Sequence, residues 1–71
     1  MAPRKADSRF KVGDTVTIQS TIHRRFNGKT GVVIEIQRSR HSETLDKYVV
    51  RFDNQTPDQE LFWDIEVNPM D

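Results

Sequence analysis

The sequence predicts an all-β fold, a small five-stranded barrel. Three observations carry this reading. Asn27-Gly28 stands just before a β-branched run, Gly31-Val32-Val33-Ile34-Glu35-Ile36, a strong local signal for a chain reversal into a strand. Five short apolar-rich segments, separated by Gly, Asn, Asp and Pro, fall within about sixty residues. No segment carries the period of about 3.6 that an amphipathic helix requires.

The elements follow in chain order. Residues 1–9 contain Arg4, Lys5 and Arg9 and no apolar period, so they read as a disordered basic arm. The barrel is expected over 10–68, with 69–71 as a tail. Phe10, Val12, Val16 and Ile18 alternate around Gly13-Asp14, which reads as a bend entering the first strand. Residues 19–27 form a long loop, with Ile22 and Phe26 as its core anchors and His23-Arg24-Arg25 as its exposed tip. Gly28 supplies a positive φ, and Gly31 opens the central strand where another backbone passes close by. That strand is apolar at Val32, Val33, Ile34 and Ile36, so it is either buried on both faces or bulged so that it changes face.

Residues 38–46 are polar and read as a long, mobile hairpin loop. In the third strand, Lys47 to Phe52, residues Tyr48, Val50 and Phe52 share the core face. Pro57 marks the turn 53–58. Gln59 to Trp63 is the fourth strand, and one of Phe62 and Trp63 plugs the barrel. Asp64-Ile65 reads as a tight turn, and Glu66-Val67 as a short closing strand.

A chain of 71 residues makes one domain with a small core, and it has no cysteine with which to build a disulfide or a thiolate metal site. No run approaches the roughly 20 apolar residues of a membrane span. The polar N-terminus predicts no signal peptide, so the cytoplasm is the expected compartment and the Asn54-Gln55-Thr56 sequon reads as chance. Net charge is zero, but residues 1–40 hold nine Lys/Arg against three Asp/Glu, and residues 41–71 hold two against eight. Such asymmetry gives either a dipolar surface or charges that meet across interleaved strands.

Little in the chain suggests catalysis. Gly28-Lys29-Thr30 mimics the end of a phosphate-binding loop, but His23 occupies the place of its first glycine and no helix follows. His23 and His41 read as solvated loop residues, and neither a metal site nor a cofactor is expected. No nucleophile is paired in sequence with a base and an orienting group. The carboxylates of the second half fall in turns or at outward strand positions and read as a solvated face.

Gly13-Asp14-Thr15-Val16-Thr17-Ile18, Phe26-Asn27 with Gly31-Val32-Val33, Tyr48 to Asp53, and Asp64-Ile65-Glu66-Val67 together resemble the SH3-like barrels of the electron-transport-accessory group. That group includes the stromal E subunit of photosystem I, the variable chain of ferredoxin–thioredoxin reductase and the C-terminal half of the nitrile hydratase β subunit. The resemblance covers residues 10–67 and implies non-catalytic work: docking an acidic electron carrier, supporting a catalytic partner, or completing a site whose metal ligands lie on another chain. His23-Arg24-Arg25 falls about where the hydratase barrel carries a His/Arg loop, but the loop is shorter in this chain. Gly28 to Val33 also resembles the turn of nucleic-acid barrels with a KOW motif. The tiny plasmid-borne dihydrofolate reductases are barrels of this type too, but Gln59-Glu60-Leu61-Phe62 stands in place of their pore signature.

The expected function is therefore a non-enzymatic accessory module that docks a larger protein with an acidic surface. Arg24, Arg25, Lys29, Arg38 and Arg40 are the expected partner-binding residues, unless the loop arginines pair internally with Glu60, Asp64 and Glu66. The alternative is a KOW-like nucleic-acid barrel touching phosphates through Arg4, Lys5, Arg9, Arg24 and Arg25. Whether loops 19–27 and 38–46 form one surface, and in what oligomeric state, is left open by the sequence.

Overall fold

The computed structural model describes residues 7–70. Arg4 and Lys5, and with them most of the expected arm, lie outside the described residues. The chain forms five antiparallel strands in one sheet: β1 (Thr15–Ile18), β2 (Thr30–Gln37), β3 (Lys47–Arg51), β4 (Gln59–Trp63) and β5 (Val67–Pro69). Their order is β4-β3-β2-β1-β5. Three single turns of 3-10 helix interrupt the connections, at Arg24–Phe26, Glu43–Leu45 and Asp64–Glu66.

The central strand resolves the alternative its composition posed: it is bulged. Val33 pairs with Val50, but Glu35 pairs with Val49, so Ile34 is the extra residue. Before the bulge, Gly31 and Val33 face the core while Val32 and Ile34 are exposed; after it, Ile36 packs against the core. One inserted residue changes the parity of an alternating strand, and so carries the apolar side to the other half of the barrel-like sheet.

The glycines act as their positions predict. Gly28 has φ +81°, and a Cβ at Gly31 would stand 2.6 Å from the carbonyl oxygen of Arg51 and 2.6 Å from Cγ1 of Val50. Only a residue without a side chain lets β3 approach β2 this closely.

The core consists of Phe10, Val16, Ile18, Phe26, Val33, Tyr48, Val50, Phe52, Phe62 and Val67. Phe26 stacks on Phe52 with ring centroids 4.7 Å apart, and Phe62 meets both rings edge-on. Phe62, not Trp63, plugs the interior.

Several expectations are corrected. Val12 is exposed, because the bend at Gly13 ends the alternation that began at Phe10. Ile22 is exposed and anchors nothing, whereas Phe26 does. Pro69, expected in the tail, ends β5 opposite Val16. Ser8 and Arg9, expected in a free arm, are bound to the body: Ser8 Oγ donates to Asp46 at 2.6 Å and Arg9 Nε to Asp64 at 3.0 Å. The loop 38–46 is pinned by Asp46, which accepts from the Ser39 N–H at 2.7 Å and whose carbonyl accepts from the Asp64 N–H at 3.0 Å.

Candidate functional site

The connection between β4 and β5 is the three-residue turn Asp64-Ile65-Glu66. Asp64 and Glu66 turn inward and are buried; Ile65 between them is 83% exposed. This inverts the usual placement of acidic and aliphatic residues, so each carboxylate needs an internal partner.

Each has one. The Arg9 guanidinium donates through Nε to the Asp64 carboxylate, through Nη2 to the Asp64 carbonyl at 2.9 Å, and through Nη2 to the Val67 carbonyl as well. Glu66 accepts from Ser20 Oγ, from His23 Nδ1 at 2.9 Å and from the Trp63 N–H at 2.9 Å. Burial pushes the Glu66 carboxyl up, but the hydrogen bonds from Ser20, His23 and the Trp63 backbone, with the charge of His23, outweigh it and hold the group below the ordinary carboxylate value. An ionised carboxylate only accepts, so His23 carries a proton on Nδ1. Asp46, Asp64 and Glu66 are thus structural groups rather than part of the expected solvated face.

Ser20, His23 and Glu66 bring together the residue types of a hydrolytic triad in the wrong order. The carboxylate lies between the hydroxyl and the imidazole and accepts from both. Ser20 Oγ also accepts from the N–H groups of Ile22, at 3.1 Å, and His23, at 2.9 Å. Its proton goes to the Glu66 carboxylate and both lone pairs are engaged by backbone N–H groups, so it acts as a latch. Among the described residues no group of three or more His, Cys, Asp or Glu is placed to hold a metal ion.

The latch fixes the path of loop 19–27. The Gln19 N–H donates to the Glu66 carbonyl at 2.9 Å, and the Ser20 N–H to Asn27 Oδ1 at 2.9 Å. His23, expected at an exposed tip, is instead packed edge-on against Phe62 at 4.9 Å. Loop 38–46 reaches the same turn from the other side, through Asp46 and Asp64. The two loops stand at opposite ends of β2 in sequence, yet both close on Asp64–Glu66.

The expected site residues occupy several settings. Arg24 borders a shallow cleft with Ser20, Thr21 and Asn27. The Arg25 guanidinium lies 5.3 Å from the Phe26 ring centroid and donates to the Thr56 carbonyl. Lys29 is exposed beside the start of β2 and Arg40 is exposed in the second loop. Arg38 lies 3.5 Å from Asp7, with both side chains largely exposed. Among the described residues the ion pairs of Asp64 and Glu66 are made with Arg9 and His23, so the alternative, internal pairing of Arg24 and Arg25 with these two carboxylates, is not formed. Arg9, in turn, is committed to the body of the domain rather than to an arm.

Sequence reasoning missed the apolar surface beside these loops. Ile22, 74% exposed, and Ile65 line one cleft; Ile65, Leu45 and Trp63 line the next. Lys47, the cross-strand partner of Trp63, holds its ammonium 4.4 Å from the indole centroid. Strand alternation could have found Trp63, since Phe62 faces in. For Ile22 and Ile65 no local signal exists, because their direction is set by the latches beneath them. Compared with protein-family models, curated proteins and solved structures, the chain matched none.

Proposed function

We propose that this chain is a non-catalytic accessory module of the SH3-like type that docks a larger protein through loops 19–27 and 38–46. The strand order, with a single helical turn before the last strand, supports the SH3-like reading. The observation that carries the docking reading is the withdrawal of acidic charge. Asp46, Asp64 and Glu66 are buried and bonded internally and Glu43 in the second loop is half-buried, while Arg24, Arg25, Lys29 and Arg40 are exposed. An acidic protein surface is the complement of such a rim, and steering raises the association rate at low salt.

The test is photo-crosslinking in cells that naturally make the chain, with a photoreactive side chain at position 29, compared with and without nuclease treatment. Nuclease-resistant protein adducts that vanish in an Arg24→Glu, Arg25→Glu double variant are expected. Adducts that disappear on nuclease treatment would establish nucleic-acid binding instead.

A further inference from the structure

We propose that the exposed strip running from Ile22 over Ile65 to Leu45 and Trp63 receives an extended acidic segment of a partner protein, with apolar side chains two positions apart seated in its two clefts. The proposal rests on the docking reading and gives it a contact surface and a ligand chemistry.

The strip is apolar and open. Ile65 and Ile22 are 83% and 74% exposed, and Leu45 and Trp63 are each more than two-fifths exposed. Solvated single hydrophobes are ordinary, but four grouped around one turn form a patch, and patches mark interaction sites. The two clefts share Ile65 as a common wall and have volumes of about 450 and 470 Å³. Both are open to solvent, unlike the sites that bury most of a small ligand. Side chains at alternate positions of an extended chain project the same way roughly 6.6–6.8 Å apart, a spacing suited to neighbouring clefts divided by one side chain.

Charge selects the occupant. Arg24 stands beyond the Ile22 cleft, next to Thr21 and Asn27, and Lys47 lies over the Trp63 ring at the other end. The carboxylates beneath the strip, Asp64 and Glu66, are satisfied by Arg9 and by Ser20, His23 and the Trp63 N–H, so they offer nothing to a ligand. A second copy of the chain fits poorly. A two-fold pairing centred on Ile65 would set Arg24 of one copy against Lys47 of the other, like against like. Nucleic acid fits poorly as well, because three of the four apolar residues are aliphatic and only Trp63 offers a stacking plane.

The probe is the peptide Glu-Asp-Leu-Glu-Phe-Asp-Glu, titrated into the isotopically labelled full chain and followed by NMR. One control peptide carries Lys at every acidic position, and the other carries Ser in place of Leu and Phe. Saturable shifts of the Trp63 indole and of the Ile22 and Ile65 methyls are expected with the acidic apolar peptide, with binding about tenfold weaker for either control. Ile65→Ser, at an exposed position, should keep the spectrum dispersed and weaken binding by about tenfold, as truncating a central anchor does; Ile22→Ser provides the same comparison in the first cleft.

Equal response to the Lys peptide, no saturable response to any peptide, or concentration-dependent shifts of the strip in the protein alone would each overturn the proposal. If the Ser-containing acidic peptide binds as tightly and Ile65→Ser changes nothing, the strip falls while docking through the arginines stands. Crosslinks to nucleic acid alone would remove the docking reading itself.

Discussion

His23 Nδ1 lies 2.9 Å from Oε2 of Glu66, a residue 43 positions further along the chain. This contact, with the Ser20 hydroxyl on the same carboxylate oxygen, decides where loop 19–27 runs and which of its side chains face outward.

The first prediction concerns that carboxylate. Its value in the folded protein lies below the ordinary 4.5, so its stabilisation is present in full above the unfolded value and is lost as pH falls through the folded one. Urea unfolding between pH 7 and pH 3 should therefore show a steeper loss of stability below about 4.5 in the native chain than in Glu66→Gln. At neutral pH, Glu66→Gln should cost about 1–3 kcal/mol, because Gln cannot accept from Ser20, His23 and Trp63 as an ionised carboxylate does. Parallel pH profiles of the two proteins would show that Glu66 gains nothing from its partners.

Phe52 belongs to the aromatic cluster, stacked on Phe26 and edge-on to Phe62. Phe52→Ala should cost about 3–5 kcal/mol, comparable to what a domain of this size holds in total. Circular dichroism of the variant should show an unfolded chain at room temperature, and a cooperative melt at the native temperature would contradict the packing described.

Gly31→Ala places a methyl group against backbone. A Cβ would stand 2.6 Å from the Arg51 carbonyl oxygen and 3.0 Å from Cδ1 of Phe52. Separation of β2 from β3 is the only relief, and a loss of about 1–3 kcal/mol is expected in chemical denaturation. Gly13 offers a contrast. A Cβ there would meet nothing within 4 Å, so any penalty of Gly13→Ala comes from φ +100° alone.

Tyr48 is fully buried, and its hydroxyl stands near the backbone of Phe10 and Arg9 without forming a hydrogen bond of ordinary geometry among the described residues. Burial pushes its ionisation above the usual tyrosine value, and interactions with the backbone of Phe10 and Arg9 counter this only in part. Removing an unsatisfied buried hydroxyl relieves a desolvation cost, so Tyr48→Phe should leave stability unchanged or raise it by up to about 1 kcal/mol. The edge-on contact with Phe10, at 5.4 Å, would survive the change. A loss above 1 kcal/mol would reveal a partner for the hydroxyl.

The sequence by itself determined the strands, the turns and most of the core. Those features follow from local chemistry: alternation in Tyr48, Val50 and Phe52, β-branching in β2, and the need for glycine at positions 28 and 31. The exposure of Arg24, Lys29 and Arg40 was legible for the same reason, since polar loops run over surfaces. Tertiary structure alone decided that the parity of β2 changes at Ile34, that Asp64 and Glu66 lie inside, and that Ile22 and Ile65 lie outside. Arg9 is 55 positions from Asp64, and His23 is 43 from Glu66. No local pattern carries such pairings. A buried carboxylate is tolerable only where the folded chain delivers its partner, and once Asp64 and Glu66 turn inward, the geometry of a single turn leaves Ile65 only the solvent side.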